Sequence, residues 1–329
     1  MTQVFPLMEK NRTFLVTGGA GFLGFHLSQR LLEMGHYVIG MDNLATGSLA
    51  NIAQLQTHVR YRFLQQDIVL PFDVSSLDGI FHLACPASPI HYQADPIGTT
   101  KTSVIGTLHV LELAAKLNIP ILFTSTSEVY GDPDQSPQVE TYHGNVNPIG
   151  PRSCYDEGKR CAESLCFDFQ RQLGVSVKVA RLFNSYGPNM AVNDGRVVSS
   201  FINQALNDQP ITVFGEGKQT RSFCFVSDTI DGLLKLAQSE CSAPINLGNP
   251  SEITVLALAH KVIALTNSHS EIIYRDLPID DPKRRCPDIS LALDKLGWSP
   301  QVTLDKGLEL TCRFYSTLLS SKKEKVPHL

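Results

Sequence analysis

Tyr155 and Lys159 stand four residues apart in Ser153-Cys-Tyr-Asp-Glu-Gly-Lys159, a segment that continues in helical period through Ala162, Leu165 and Phe169. That spacing puts both side chains on one helix face. An ammonium held beside a phenol favours the phenolate, so a tyrosine with an ordinary pKa of ~10 can act as a base near neutrality. Such a pair also arises by chance on exposed helices, and a solvated face is the bland alternative. The run Ser125-Thr126-Ser127-Glu128 strengthens the chemical reading, because it closes a β-rich segment with hydroxyls and a carboxylate at a strand end.

A second constellation is Gly18-Gly-Ala-Gly21-Phe22-Leu23-Gly24, between the first β-rich run and the first helical pattern. It fits G-x-G-x-x-G from Gly19 and G-x-x-G-x-x-G from Gly18, turns in which the backbone approaches a pyrophosphate lying on a helix N-terminus. A tight turn without ligand is the alternative. The second β-rich run ends at Asp42, close to the ~20-residue spacing expected of an acid that accepts from an adenosine ribose. A carboxylate there repels a 2′-phosphate, so NAD is expected over NADP. Asp67-Ile68 and Leu83-Ala84 follow the third and fourth runs, at strand ends where parallel sheets bind ligands. On its own, Asp67 reads as a loop or capping residue.

These groups need a scaffold that brings strand ends to one rim. Candidate strands Thr13–Thr17, Tyr37–Met41, Tyr61–Gln65, Gly79–Leu83, Ile121–Ser125 and Val175–Arg181 alternate with helical patterns, among them Phe22–Met34 and Ile97–Leu117, the latter stopped by Pro120. The expected fold is α/β, a Rossmann-type doubly wound parallel sheet. After Arg181, loops rich in Gly, Pro and Asn suggest a smaller C-terminal substrate-binding lobe. The divisions expected are an NAD-binding unit over 12–181, the lobe over 182–320 and a charged tail over 321–329. Within 223–247, Phe223–Val226, a helix Asp228–Gln238 and Pro244–Leu247 read as strand, helix, strand and are expected to rejoin the sheet. No internal repeat is visible.

Composition removes several classes. Over 329 residues, 43% are hydrophobic and 18% charged, as in a globular chain, and 28 Lys plus Arg against 32 Asp plus Glu leave a net charge of -4. There is no basic footprint for nucleic acid or an anionic membrane. The 8 cysteines are dispersed, without CxxC pairs or zinc-type spacing, and read as reduced thiols with no metal site. Met1–Arg12 does not look like a signal peptide, and no stretch reaches the ~18 apolar residues of a membrane span, so a cytoplasmic location is expected.

The glycine turn with Thr17, the Ser/Thr run and Tyr155-x-x-x-Lys159 resemble the extended short-chain dehydrogenase/reductases, which act on nucleotide sugars beside NAD. More narrowly, His82-Leu-Ala-Cys-Pro-Ala-Ser-Pro89, Ser125 to Pro133, Gly144 to Arg160 and Asn193-Asp-Gly-Arg-Val-Val198 look like the decarboxylases of that family that act on UDP-glucuronate. The resemblance runs from about Phe14 to the end of the folded chain. His143 departs from it where Trp is expected, and Cys286 where Lys is expected.

The resemblance implies decarboxylation of UDP-glucuronate to UDP-xylose through a 4-keto intermediate, with NAD recycled internally. In it Tyr155 is the base for the sugar 4-hydroxyl, Lys159 supports it and holds the nicotinamide ribose, so that both also count among the cofactor contacts, and Thr126 hydrogen-bonds the same hydroxyl. Ser127 replaces the aspartic acid of sugar 4,6-dehydratases, and a serine cannot expel a C6 hydroxyl with a proton. Glu128 orients the sugar's carboxylate end or a water. Arg285 engages the C6 carboxylate, a role that suits a guanidinium fork; otherwise it would be a solvated loop residue. Asn184, Arg196 and Arg221 are implied near the diphosphate, with a contact toward the nicotinamide side as the equal alternative for Arg196, and Tyr92 and Lys101 near the sugar. Asn43, Leu44, Thr46, Gly47 and Thr102 join the implied cofactor contacts. The alternatives are another nucleotide-sugar 4-epimerase or 4,6-dehydratase, disfavoured by Ser127 and Arg285, and a catalytically silent NAD-binding regulator. The long apolar Ile97–Leu117 segment suggests a homodimer joined through a helical bundle, though burial within one chain would explain it too.

Overall fold

The computed structural model describes residues 3–278, 280, 282 and 284–323. Its first half runs β1 (Thr13–Thr17), α1 (Phe22–Glu33), β2 (Tyr37–Asp42), α2 (Leu49–Leu55), β3 (Tyr61–Gln65), β4 (Gly79–His82), α3 (Pro89–Ala94), α4 (Pro96–Lys101), a π-type turn (Thr102–Gly106), α5 (Thr107–Leu117), β5 (Ile121–Thr126), a 3-10 turn (Ser127–Tyr130), α6 (Ser153–Leu173) and β6 (Val177–Leu182). The expected Ile97–Leu117 helix is thus a continuous run with one wider turn. It begins one residue earlier at Pro96, where Asp95 accepts from the Gly98 N–H at 2.9 Å. The sixth strand starts at Val177 rather than Val175, because the Val175 N–H turns back to the Phe169 carbonyl to close α6 after the left-handed Gly174.

Beyond β6 come β7 (Ser185–Tyr186), α7 (Val197–Leu206), β8 (Ile211–Phe214), β9 (Thr220–Ser222), β10 (Cys224–Phe225), α8 (Val226–Gln238), β11 (Ile245–Leu247), β12 (Glu252–Thr254), α9 (Val255–Thr266), β13 (Ile272–Arg275), β14 (Arg284–Arg285), α10 (Ser290–Leu296) and α11 (Leu304–Lys323). From residue 324 on, the charged tail lies outside the described residues.

Seven strands form the main sheet in the order β11-β6-β5-β4-β1-β2-β3, every neighbouring pair parallel. Both faces of this sheet are covered, so its strands read as apolar runs, and β4 and β5 are buried throughout. Strand order reverses between β1 and β4, which opens a ligand crevice beyond their carboxyl ends. β11 takes the free edge of β6. With β5 on its other side, β6 has no edge left for Cys224–Phe225, which pairs instead with Ser185–Tyr186 in a separate ladder. The expectation that Phe223–Val226 rejoins the sheet is corrected accordingly.

Two small sheets complete the second half: β13 with β8, and β9 flanked by antiparallel β12 and parallel β14. The β9–β14 register sets Arg285 directly opposite Arg221. No helix among the described residues is long and apolar enough to cross a membrane.

Candidate active site

The turn after β1 is built for close approach. Gly18 has φ +70, and a Cβ there would stand 2.9 Å from the Ala84 backbone nitrogen, so the turn lies directly against the end of β4. Thr17 Oγ1 joins the same seam, accepting from the Leu83 and Ala84 N–H groups at 3.2 and 3.3 Å. α1 starts after Gly21 with no side-chain cap and no acid in its first turn, which leaves its Phe22 and Leu23 end open to an anion. A Cβ on Gly24 would collide with the Gly18 carbonyl, so the helix can start this near only with glycine.

Asp42 ends β2 at the same rim. Its carboxylate accepts from the Ala20 N–H at 3.1 Å and the Leu44 N–H at 2.8 Å, one bond to each oxygen, and keeps acceptor capacity on both. Burial raises its pKa. An uncapped helix end and a carboxylate with spare lone pairs fit the pyrophosphate and ribose of a dinucleotide. Around them, Gly47 packs against Asp42, and Asn43 donates to Asp67 at 3.0 Å. Asp67 also accepts from the Val69 N–H at 2.9 Å, the capping role that its position alone suggested. Ile68 is buried, Thr46 is exposed, and Thr102 donates to Gly98 of its own helix at 2.9 Å.

Tyr155 is 6% exposed and hydrogen-bonded to Thr126, and its ring stacks on Tyr92 at 5.1 Å with a 2° interplanar angle. Gly158 lets α6 sit this close, since a Cβ there would be 2.9 Å from the Ser103 Cβ. Lys159 is buried on the same helix face. It donates to the Thr124 carbonyl at 2.8 Å and lies 4.6 Å from the Phe123 ring centre, and burial lowers its pKa. The expected lowering of the phenol's pKa by Lys159 is not found in this arrangement. Burial pushes Tyr155 well above its ordinary value, opposed by the Thr126 hydrogen bond and the charge of Arg196.

Beside Tyr155 lies a ladder of charges. Glu128 Oε1 pairs with Arg285 at 2.5 Å and Oε2 with Arg152 at 2.6 Å. Arg285, only 2% exposed, also donates to the Gly131 carbonyl at 2.9 Å and to Ser127 Oγ at 3.3 Å. The solvated-loop alternative for Arg285 is therefore excluded. Glu128 is partly buried, its side chain 18% exposed, yet the two guanidinium groups outweigh the desolvation and hold its pKa down at about 2. Asp156 follows, 3.9 Å from Arg152, and burial with the nearby Glu128 charge pushes it up to about 8. Glu128, Arg152 and Asp156 line a cleft of about 240 Å³ together with Asp132, Asn145 and Asn147.

The remaining residues divide. Tyr92 is inside the site through its stack. Arg196 pairs with Asp194 at 3.2 Å while its charge reaches Tyr155. Arg221 donates to the Thr220 carbonyl at 2.9 Å, and Asn184 to the Ser222 carbonyl at 3.1 Å, so both brace the strands beside Arg285. Lys101 is exposed. His143 is exposed and gives its carbonyl to Arg160 at 2.6 Å, a contact that any residue there could make. Cys286 is buried, its thiol pushed up to about 11 by burial.

Sequence reasoning missed Arg152, Asp156 and Gln138. Arg152 and Asp156 carry a readable signal, the same i, i+4 spacing as Tyr155 and Lys159. Gln138 carries none. It is fully buried, its N–H donates to the Cys286 carbonyl at 2.8 Å, and its side chain accepts from the Cys286 N–H at 2.9 Å, clamping the strand that bears Arg285.

Residues 14–248 match the NAD dependent epimerase/dehydratase family. The chain is 50% identical to UDP-glucuronic acid decarboxylase 2 of Arabidopsis thaliana, over 97% of this chain and 72% of that protein. It is 49% identical to UDP-glucuronic acid decarboxylase 1 of Danio rerio, over 96% and 76%. Among solved structures it is similar to UDP-glucose 4-epimerase of Thermotoga maritima with UDP-glucose (TM-score 0.86, 30% identity, 93% of this chain and 99% of that one). It is likewise similar to UDP-glucuronic acid 4-epimerase of Bacillus cereus in complex with UDP-glucuronic acid and NAD (TM-score 0.83, 27% identity, 93% and 99%).

Proposed function

The chain belongs to the NAD dependent epimerase/dehydratase family, within the extended short-chain dehydrogenase/reductases, and we propose that it decarboxylates UDP-glucuronate to UDP-xylose through a 4-keto intermediate. The observation that carries this is identity at half of all positions with plant UDP-glucuronic acid decarboxylases over nearly the whole chain. The site is consistent with it. Buried arginines suit a sugar carboxylate, and Ser127 stands where expulsion of a C6 hydroxyl would need an acid.

NAD, when bound, supplies reversible two-electron oxidation at C4. With the positive charge of bound NAD⁺ and of Arg196 favouring its phenolate against burial, Tyr155 would take the C4 hydroxyl proton and later return it, with Thr126 holding the oxygen in line. Lys159, fixed to the Thr124 carbonyl, places a buried positive charge behind the phenol's helix face. Arg285 has an Nε–H without a partner among the described residues, a donor for the incoming carboxylate. With a ketone at C4, the sugar is a β-keto acid. Loss of CO₂ leaves the electron pair in a C4–C5 enolate, which a proton at C5 converts back to a ketone. Closure of the second lobe over the crevice would keep water from that intermediate.

We also infer a cytoplasmic homodimer. All eight cysteines are free, and Ile97 and Ile105 on the α4–α5 run are 70% and 37% exposed, an apolar face that a second copy would cover. Sedimentation at low protein concentration tests the dimer.

The test of the reaction is incubation with UDP-glucuronate in D₂O, read by nuclear magnetic resonance. The expected product is a UDP-pentose with one deuteron at C5 and its original hydrogen at C4. A six-carbon product inverted at C4 would make the protein an epimerase. Deuterium at C4, or none at C5, would refute the cycle.

A further inference from the structure

The cleft beside Tyr155 holds two carboxyl groups with opposite surroundings. Glu128 takes the short ion pairs to both arginines. Asp156, one residue after Tyr155, is 6% exposed; among the described residues its carboxylate has one ion pair, the 3.9 Å contact to Arg152, and its Oδ1 has no hydrogen-bond partner. Two more buried polar atoms of the same neighbourhood lack partners there, the Tyr92 hydroxyl and Arg285 Nε. Buried polar groups are nearly always satisfied, so the unpartnered Asp156 oxygen in the wall of this polar cleft, with the other two behind it, indicates a polar occupant.

We propose that Asp156 is the proton store of the reaction: it is protonated while the substrate's C6 carboxylate occupies the cleft, and yields that proton toward C5 when the carboxylate leaves as CO₂. This rests on the decarboxylase reading above. The charged and titratable groups facing Asp156 among the described residues are Arg152 at the α6 N-cap, Cys154 and Glu157 on α6, Glu128 after β5, Arg285 on β14 and Tyr92 on α3, with Asp132 and Asp280 also lining the cleft. Burial and the Glu128 charge hold Asp156 protonated up to about pH 8, whereas Glu128 stays ionised. Two titratable groups whose surroundings drive them apart mark an acid and a base.

The step balances. The C5–C6 bond breaks, its electron pair forms the C4–C5 enolate, and CO₂ departs uncharged. The Asp156 O–H then breaks, the proton bonds to C5, the ketone re-forms, and Asp156 keeps the electron pair as a carboxylate. One negative charge leaves the cleft with the substrate and one appears on Asp156, so the charge facing Arg152 and Arg285 does not change. Neither neighbour can substitute. Glu128 has no proton to give at neutral pH, and the proton that Tyr155 takes must go back to the C4 oxygen.

The decisive measurement is proton uptake on binding, by titration calorimetry of the NAD-loaded Tyr155→Phe protein in buffers of different ionisation heat, where turnover is stopped. Near pH 8.5, UDP-glucuronate should draw a substantial fraction of a proton, UDP-glucose none. The Tyr155→Phe/Asp156→Asn protein, with an amide shaped like the protonated acid, should bind UDP-glucuronate without uptake. Its affinity should stay flat from pH 7 to 9, while the Tyr155→Phe protein weakens toward tenfold per pH unit above about 8. With Tyr155 intact, Asp156→Asn should turn over at least ~10²-fold more slowly. Uptake that persists without Asp156, no uptake in its presence, or wild-type turnover by Asp156→Asn would each overturn the proposal. Absence of a pentose product from the wild-type protein would sink the decarboxylase reading, and the uptake measurement would still judge Asp156 on its own.

Discussion

Replacing Arg285 with alanine tests the centre of the site. The guanidinium sits 2% exposed and makes three contacts at once, with Glu128 at 2.5 Å, the Gly131 carbonyl at 2.9 Å and Ser127 at 3.3 Å. Breaking a buried ion pair by removing one partner costs ~3–5 kcal/mol. Glu128 keeps Arg152 at 2.6 Å, so roughly half of that, ~2 kcal/mol, is expected as lost stability. The acid dependence follows with its sign. Glu128 is depressed from 4.5 to about 2, so its contribution is complete above pH 4.5 and is lost as pH falls toward 2, on the order of 3 kcal/mol in the intact protein. Without Arg285 part of that depression disappears, and the stability difference between the two proteins should narrow across this window.

For catalysis, one charge-assisted contact to the substrate carboxylate is worth ~1.5–3 kcal/mol, or ~10–100-fold in kcat/KM. Arg285→Lys keeps the charge but cannot reach three acceptors in one plane, so it should fall between wild type and Arg285→Ala. Steady-state kinetics with UDP-glucuronate, paired with UDP-glucose binding as a control that lacks the carboxylate, reads this out. Wild-type kcat/KM in Arg285→Ala, or equal weakening toward both sugars, would refute the assignment of Arg285 to the carboxylate.

Tyr155→Phe keeps the ring stacked on Tyr92 and removes the proton acceptor, so it should retain NAD and lose at least ~10²-fold in turnover; near-normal turnover would remove Tyr155 from the chemistry. Competition between NAD⁺ and NADP⁺ should favour NAD⁺, because the Asp42 carboxylate beside the glycine turn keeps acceptor capacity for a ribose hydroxyl and would repel a 2′-phosphate, and equal affinity would remove Asp42 from that role. Gly18→Ala meets both φ +70 and the Ala84 backbone nitrogen at 2.9 Å, so about 1–3 kcal/mol of stability and most NAD affinity should be lost, as a thermal melt with and without NAD⁺ would show.

How far the site could be read in advance depends on the range of the interactions. Tyr155 and Lys159 share a face by helix geometry alone, and the Gly18–Gly24 turn announces itself by residue type. The companion of Lys159 is different. Its ammonium is held by the Thr124 carbonyl, across a helix–strand contact that no spacing encodes. The phenol likewise needed the fold, because the depth of burial that raises Tyr155 is a property of the packed site.

What local sequence determined was the period of each element and the chemistry of each turn: strands that alternate with helices, glycines where a backbone must pass, Asp42 at a strand end. These follow from interactions within a few residues, where backbone sterics and amphipathic pattern are sufficient. Only the tertiary structure decided that Arg285 and Arg152 share Glu128. Arg285 is 158 positions from Ser127, and it reaches the turn after β5 because β14 pairs with β9 and Gln138 clamps the next residue. The same closure gives Glu128 both short ion pairs and leaves Asp156 with a long one. Two like carboxyl groups thereby acquire opposite protonation through burial and neighbouring charge, which arise only when distant segments pack together.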